Sequence, residues 1–331
     1  MPSRIITLSD SLCEWHSYWI RIGQYLEGLS WEIEITTKLE KIYSLSDGDV
    51  LIIYRYNRYW GDMIDILNIL RERKVKIISD IDDFLWQAPY WDKKRLKGLT
   101  ENLKRSHIIT CSTNNLKDII NFMFPKSKAI FLANTTPKRR LIGIKNSKDS
   151  LRLLWTGAPW TRENDLLLLK PLVEWINQEK LNITWIHIGH LEGKKSFAEI
   201  LDIDPSKVQK YPLMGYSQYL NTLKGDIGLA PLSKKNSFNS FKSEIKLLEY
   251  SGIGIPWIAS KASVYEELSW RFGIAGRFCE YESDWIKHLE ELIDHRTREK
   301  EGLMWQEKSH KLQNFDSGVK SWKKIIEDVL I

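Results

Sequence analysis

Short apolar runs alternate along the whole chain with longer stretches of helical period. The first run, Arg4 to Leu8 (RIITL), precedes a helical pattern from about Glu14 to Leu29. Trp31 to Ile35, Asp49 to Arg55 and Val75 to Ser79 are short, rich in β-branched side chains, and predict strands. A helix over Trp60 to Arg73 separates the last two. The fourth strand runs into Asp80-Ile81-Asp82-Asp83, and a basic helix follows from Asp92 to Arg105. His107 to Ser112 predicts a fifth strand, Thr113 to Phe122 a helix, and Ala129 to Asn134 a sixth strand. Alternation of this kind predicts a parallel sheet with helices on both faces.

The pattern breaks over Thr135 to Ser150 (TTPKRRLIGIKNSKDS), a polar, basic stretch with Pro137 and Gly143 that predicts an interdomain linker. It then restarts. Leu151 to Gly157, Ile183 to Gly189, Asp226 to Leu232 and Pro256 to Ser260 read as strands, with a short one near Arg277 to Cys279. Asn164 to Gln178, Tyr216 to Leu223, Ser243 to Gly252 and Ser263 to Trp270 read as helices, and helices fill most of Asp284 to Leu330. The expected architecture is therefore α/β, with two Rossmann-like domains facing each other across a cleft. Their boundaries fall at 1–134 and 151–315, joined by the linker 135–150, with a closing helix over 316–331. A chain of 331 residues suits two domains.

Composition narrows the class. The chain is 43% hydrophobic and 28% charged, and it contains no run of about 18 apolar residues that would predict a membrane span. Its start, MPSRIITLSD, enters a strand pattern at once and shows no secretory apolar region. Cys13, Cys111 and Cys279 are scattered and odd in number, which fits neither a disulfide framework nor a metal site. Reduced thiols in a cytoplasmic protein are the simplest account. The net charge is +6, and its whole excess falls in residues 1–150, with 24 Lys and Arg against 18 Asp and Glu. That asymmetry suits an anionic partner of the first half: a membrane surface, an acidic glycan or a nucleic acid. Of the fifteen tryptophans, Trp155, Trp185 and Trp257 fall in core patterns. Trp86, Trp91 and Trp160 lie near loops, where aromatic faces can stack on sugars or bases.

The richest stretch is Asp226 to Ser260 (DIGLAPLSKKNSFNSFKSEIKLLEYSGIGIPWIAS). A strand, a polar loop and a helix start place backbone N–H groups and a positive dipole end where ligands of open α/β sheets bind, which suits phosphate. Glu249 lies four residues after Ile245 on the inward face of that helix, where a carboxylate can accept two hydroxyl hydrogen bonds from a ribose. Ser251, Gly252, Gly254 and Pro256 form a small-residue exit that lets the helix pack closely on the next strand. Together these features describe a nucleotide-diphosphate site.

In the order and spacing of several phrases the chain resembles the GT-B glycosyltransferases, in particular the retaining family 4, also called glycosyltransferase group 1. The phrases are LRLLWTGAPWTRENDLLLL, DIGLAPL and FKSEIKLLEYSGIGIPWIAS, with SDIDDFLW, HIITCSTNNL and FLANTT as weaker matches in the first half. The resemblance implies a sugar nucleotide held by the second domain, an acceptor held by the first, and a last helix returning to the first domain. It implies that Glu249 holds the ribose and that Ser243 and Glu244 meet the diphosphate through backbone amides. Gly157 matches the glycine at which the backbone approaches phosphate, and Asp226 and Pro231 match the strand and loop leading to the site.

Two positions depart from that family. Its first motif acid falls on Phe241 here, with Asn239 nearby, and its usual cations fall on Ala158 and Asn164. A leaving diphosphate needs positive charge, so Arg162, Lys242 and Lys246 are the candidates to supply it. The Asp80, Asp82 and Asp83 cluster has three readings: acceptor-binding or catalytic machinery, a cap for the following helix, or a metal-binding DxD pair as in GT-A enzymes. Arg55 has two readings, an anionic-acceptor contact or a surface salt bridge; Trp86 is a further acceptor candidate, and Arg21 is a weaker one. His187 and His190 flank a strand end and receive no catalytic role.

The leading expectation is a hexosyltransferase that moves sugar from a nucleotide-diphosphate donor to a hydroxyl of a glycan or lipid-linked acceptor. Retention and independence of metal are expected, as is no cofactor, because helix N–H groups and a cation can stabilise the leaving group. Peripheral membrane contact through the basic half is a further expectation. A sugar-nucleotide epimerase of the same fold and a non-catalytic nucleic-acid or glycan binder are the alternatives.

Overall fold

The computed structural model describes residues 2, 4–9, 16–55, 60–88, 91–137 and 150–331. Most of the expected linker, together with Cys13 and Glu14, lies outside the described residues. The chain divides into two compact units. The first comprises Met1–Asn134, Phe241–Ser243 and Phe315–Ile331, and the second Thr135–Ser240 and Glu244–Asn314.

The first unit carries strands β1 (Ile5–Ser9), β2 (Ile33–Thr36), β3 (Val50–Tyr54), β4 (Lys76–Ile81), β5 (Ile108–Cys111) and β6 (Lys128–Phe131). They form one parallel sheet in the order β2-β1-β3-β4-β5-β6. Runs such as VLIIY are buried at every position, so both sheet faces must be covered, and β-branched side chains serve that purpose well. Helices Trp60–Glu72, Lys93–Arg105 and Asn114–Met123 connect the strands. Helix Phe315–Leu330 belongs to this unit too. Its Trp322, Ile326 and Val329 pack with Ile5, Ile52 and Tyr18, and the Trp322 indole N–H donates to the Arg21 carbonyl at 2.8 Å.

The second unit carries β7 (Leu151–Thr156), β8 (Ile183–His190), β9 (Val208–Pro212), β10 (Ile227–Ala230), β11 (Trp257–Ser260) and β12 (Arg277–Cys279). They form a second parallel sheet in the order β12-β11-β10-β7-β8-β9. Trp155, Trp185 and Phe197 fill its core with Leu153, Leu229 and Ile258. Helix Ile245–Gly252 lies against β10 because Gly228 has no side chain: a Cβ there would collide with the Tyr250 ring. The Tyr250 hydroxyl donates to the Leu229 carbonyl at 3.2 Å and fixes the helix on the strand. In each sheet the strand order reverses beside a central strand, between β1 and β3 and between β7 and β10. The carboxyl ends there form the crevice in which open α/β sheets bind ligands.

Several boundaries shift from those expected. The first helix runs over residues 16–26, and its middle, Trp19–Gly23, is wound as a π-helix. The helix expected from Ser243 starts at Ile245. The one expected over Asn164 to Gln178 is broken by a tight turn at Leu167–Leu169, ahead of Pro171. Strand β9 and helix Phe197–Leu201 add elements that the hydrophobic pattern did not announce.

Candidate functional site

The second unit gathers its polar groups at the ends of β7 and β8 and on the helix after β10. Gly157 follows β7 with φ +137°, and its amide donates to the Ile188 carbonyl at 2.9 Å. His187 lies 3.1 Å from the Gly157 carbonyl through Nε2. A carbonyl only accepts, so Nε2 carries the proton. Burial holds the imidazole neutral and pushes its pKa down to about 4. Stacked on Phe197 and tilted against Trp155, His187 is a core residue that props the Gly157 turn. Gly189, at φ +120°, completes the turn, and a Cβ there would overlap the Gly157 carbonyl. Gly189→Ala therefore forces the Gly157 turn apart. A loss of about 1–3 kcal/mol in denaturant unfolding is the expected result.

Helix Ile245–Gly252 supplies the charged groups. Lys246, in its first turn, donates from Nζ to the Thr156 carbonyl and lies 5.1 Å above the Trp155 ring. Glu249, nearly one turn on, is 5% exposed, and its Oε2 accepts from the Tyr219 hydroxyl at 2.6 Å. Burial raises the Glu249 carboxyl to about 7, against the opposing pull of the Tyr219 hydrogen bond and the Lys246 charge. Tyr219 is itself raised, by burial first and by the Glu249 charge second. Thr156, Tyr219, Lys246 and Glu249 thus form one connected polar cluster beside Gly157. A separate pocket of about 800 Å³, lined by His187, His190, Ser196, Phe197 and Lys210, opens at the end of β8, and none of Gly157, Tyr219, Lys246 and Glu249 lines it.

Other expected donor residues sit differently. Glu244 caps the helix, and its carbonyl accepts from the Leu247 and Leu248 amides at 2.9 and 3.1 Å. Its buried side chain turns toward Gln313, at 3.1 Å, and Arg271, at 3.8 Å. Burial raises that carboxyl and Arg271 opposes the shift. What Glu244 can offer at the helix start is therefore its backbone. Ser243 groups with the first unit, as do Phe241 and Lys242. Arg162 donates to the Asn239 side chain at 3.2 Å and lies 3.6 Å from Asp165. Asp165 also accepts from the Ser233 amide at 2.8 Å and the Asn239 amide at 2.7 Å. Arg162 and Asn239 thus hold the loop after β10 in shape. Lys246 is the expected cation that lies nearest Gly157. Asp226 forms a two-pronged ion pair with Arg152 and anchors the start of β10.

The first unit collects opposite charges at the ends of β3 and β4. Arg55, with φ +47°, is the kind of strained backbone that persists only where surroundings enforce it. Its guanidinium pairs with Asp82 and, at 3.0 Å, with Asp83. Lys242 Nζ lies 2.8 Å from both Asp83 oxygens. The Tyr54 hydroxyl donates to Asp82 at 3.2 Å. Burial raises the Asp82 carboxyl, the Arg55 charge pulls it down, and the neighbouring Asp83 and Asp80 charges raise it again. Phe241 packs on Phe84, with ring centres 4.6 Å apart. Trp86 is partly buried between Phe84 and Phe124 and donates to Thr100 at 3.3 Å.

Asp80 stands apart from this cluster. It is sealed in the core, where Arg21 reaches its two oxygens at 3.1 and 2.7 Å and Thr110 donates at 2.5 Å. Arg21 also donates to the Leu132 carbonyl and to Asn134. Burial lowers the guanidinium pKa, but the Asp80 charge outweighs it and the net shift is upward. Capping of the next helix falls to Asp92, which accepts from the Arg95 amide at 2.8 Å, and not to the Asp80–Asp83 run. Among the described residues no group of three or more His, Cys, Asp or Glu side chains is placed to hold a metal ion. Nor is any described helix long and apolar enough to cross a membrane.

No protein-family model matches the sequence, and no curated protein matches it significantly. Solved structures do match. HepE of Anabaena, in complex with UDP and glucose, superposes with a TM-score of 0.71 at 11% identity, over 98% of this chain and 100% of that one. An α-glucosyltransferase in complex with UDP and a 13-mer DNA gives 0.66 at 14% identity, over 99% and 100%. A UDP-forming trehalose-phosphate synthase from Burkholderia xenovorans gives 0.62 at 9% identity, over the full length of both chains. The chain has the GT-B glycosyltransferase fold. Its two six-stranded parallel sheets are consistent with the fold of these neighbours.

Proposed function

We propose that the protein is a glycosyltransferase that moves a hexose from a nucleoside-diphosphate donor to a hydroxyl of a glycan or lipid-linked acceptor. The observation that carries this reading is the buried Glu249 carboxylate, paired with Tyr219, one turn from Lys246 and beside the Gly157 turn. A ribose offers two hydroxyl donors to the carboxylate, while the helix start and Lys246 face diphosphate charge. The structural neighbours that carry UDP make uridine nucleotides the first donors to try. In the first unit Asp82 and Asp83 are the candidates for proton transfer or acceptor contact, and Asp80 is a positioning residue that fixes Arg21. Retention and transfer without a metal belong to the same reading: Lys246 and the helix start take the charge that builds on the leaving diphosphate. An epimerase would need an acid/base pair beside the donor sugar, and Phe241 occupies the position where the resembled family has its acid.

The raised Glu249 carboxyl supplies a test. Because its pKa is higher folded than unfolded, the folded chain holds that proton from about pH 4.5 to about 7. Its contribution to stability is therefore fully present at low pH and is lost as pH rises through 7. Ligand affinity runs the other way, since ribose hydroxyls donate to the ionised form. Affinity for the nucleotide diphosphate should rise from pH 5.5 to 7.5 by about twentyfold more in the wild type than in Glu249→Gln, measured by calorimetry. The variant cancels the titration of the nucleotide itself. Equal pH dependence in the two proteins would remove Glu249 from the site.

A further inference from the structure

We propose that helix Lys93–Arg105 is a docking surface for the phosphodiester backbone of a nucleic acid. The helix carries six Lys and Arg against one Glu, a net +5, while residues 135–150 carry +4 and the rest of residues 1–150 are net negative. Lys93, Lys97 and Lys104 are all exposed. Their spacing of four and seven residues places them on one stripe, about 16.5 Å long at the helical rise. About five phosphates of one nucleic-acid strand pass over that length.

Placement of the charges argues for a ligand. Lys93, Lys94 and Arg95 fill the first turn, and no acid balances them there apart from the Asp92 cap. Cations at a helix N-terminus oppose its dipole, at about 0.3–1 kcal/mol each. An arrangement that costs stability in the isolated fold suits a bound anion. Lys104 and Arg105, at the other end, meet Glu101 at 2.8 and 2.7 Å. The helix also adjoins the acidic cluster of the first unit: Trp86, two residues after Phe84, donates to Thr100 on it.

The chemistry favours a soluble phosphodiester strand over a lipid surface. An interfacial helix buries an apolar face among headgroups. The large exposed hydrophobic residues of the first unit among those described, Tyr43, Ile69, Phe122 and Ile331, all lie outside this helix, and its own apolar face, with Leu99 and Leu103, is buried. The inference goes beyond the proposed function: a nucleic acid is not the glycan or lipid-linked acceptor named there, and the binding does not depend on transfer.

The test is fluorescence anisotropy of labelled 20-mer single-stranded and duplex DNA with the full chain, between 50 and 200 mM NaCl. Three contacting lysines predict a slope of about −2 to −3 for log K against log salt. Lys93→Gln/Lys97→Gln/Lys104→Gln should weaken binding at least about tenfold at the lowest salt and flatten the slope, while the Lys→Arg triple variant retains binding. Melting temperature should not fall below the wild type and nucleotide-diphosphate affinity should stay unchanged in both, so a failure here is separable from a failure of the donor site. No binding to either DNA, an unchanged slope in the Gln variant, or lysine-dependent binding only to vesicles of phosphatidylserine and phosphatidylcholine would overturn the proposal.

Discussion

Glu249→Ala should lower affinity for the nucleotide diphosphate by about a hundredfold to ten-thousandfold. Two ribose hydroxyls that donate to a carboxylate contribute about 1.5–3 kcal/mol each, as hydrogen bonds to charged groups do. The protein has already met the desolvation cost of this carboxylate, as its raised pKa records. Removal leaves the Tyr219 hydroxyl without its 2.6 Å acceptor, so a modest loss of stability accompanies the loss of binding. Calorimetry on the Ala and Gln variants separates the effects. Both should lose ribose recognition, while Gln keeps an acceptor for Tyr219 and should melt close to the wild type. A Glu249→Ala protein that binds nucleotide as well as the wild type would exclude the assignment.

Asp80→Ala should destabilise the first unit by about 3–5 kcal/mol. The reason is an Arg21 guanidinium left buried without its partner. Both side chains of the pair are almost wholly buried, at 2% and 0% exposed. The Leu132 carbonyl and Asn134 would remain as the neutral partners of the charge. The melting temperature should fall by about 6–20 °C for a unit of this size. Arg21→Met/Asp80→Leu removes both charges at once and should recover most of the loss, since buried pairs give little net stability against apolar replacements. Nucleotide affinity, which belongs to the second unit, should not change in either variant. A single Asp80→Ala variant with wild-type melting would show that the pair does not carry the core.

What was legible in the chain follows from how local each signal is. Strands such as Val50–Tyr54 and Leu151–Thr156 were read directly, because parallel strands buried on both faces are continuous apolar runs. Strand β9 (VQKYP) was not, because it is an edge strand, mostly exposed, with no apolar alternation. Helix Phe197–Leu201 spans five residues. Its one clear signal was the Ser196 and Glu199 capping box, which the structure forms. The π turn at Trp19–Gly23 has no sequence signature, since it changes only which carbonyl each amide meets.

The site was legible as residue types but not as pairs. Glu249 stood out from its helix and neighbours, whereas its partner Tyr219 sits 30 positions earlier on a helix with no motif. Asp80, Asp82 and Asp83 read as one acidic cluster. The end of β4 at Ile81 splits it: Asp80, still in the strand, is buried against Arg21, 59 positions away, and Asp82 and Asp83 lie past the strand end with Arg55 and Lys242. Arg162 is a candidate to carry diphosphate charge because the family's usual cations fall on Ala158 and Asn164, but its contact with Asn239, 77 positions away, and Asn239's with Asp165, 74 positions away, show a structural role. Long-range hydrogen bonds of this kind follow from the packing of whole elements and leave no trace in local spacing.

Incubation of the full chain with a panel of nucleoside-diphosphate sugars, with nucleotide release and sugar transfer followed together, tests the central claim most directly. The account predicts that one nucleotide family is consumed, that the nucleoside diphosphate appears with a glycosylated hydroxyl product, and that Glu249→Ala abolishes both signals. Binding of no sugar nucleotide, or consumption that is unaffected by Glu249→Ala, would contradict it.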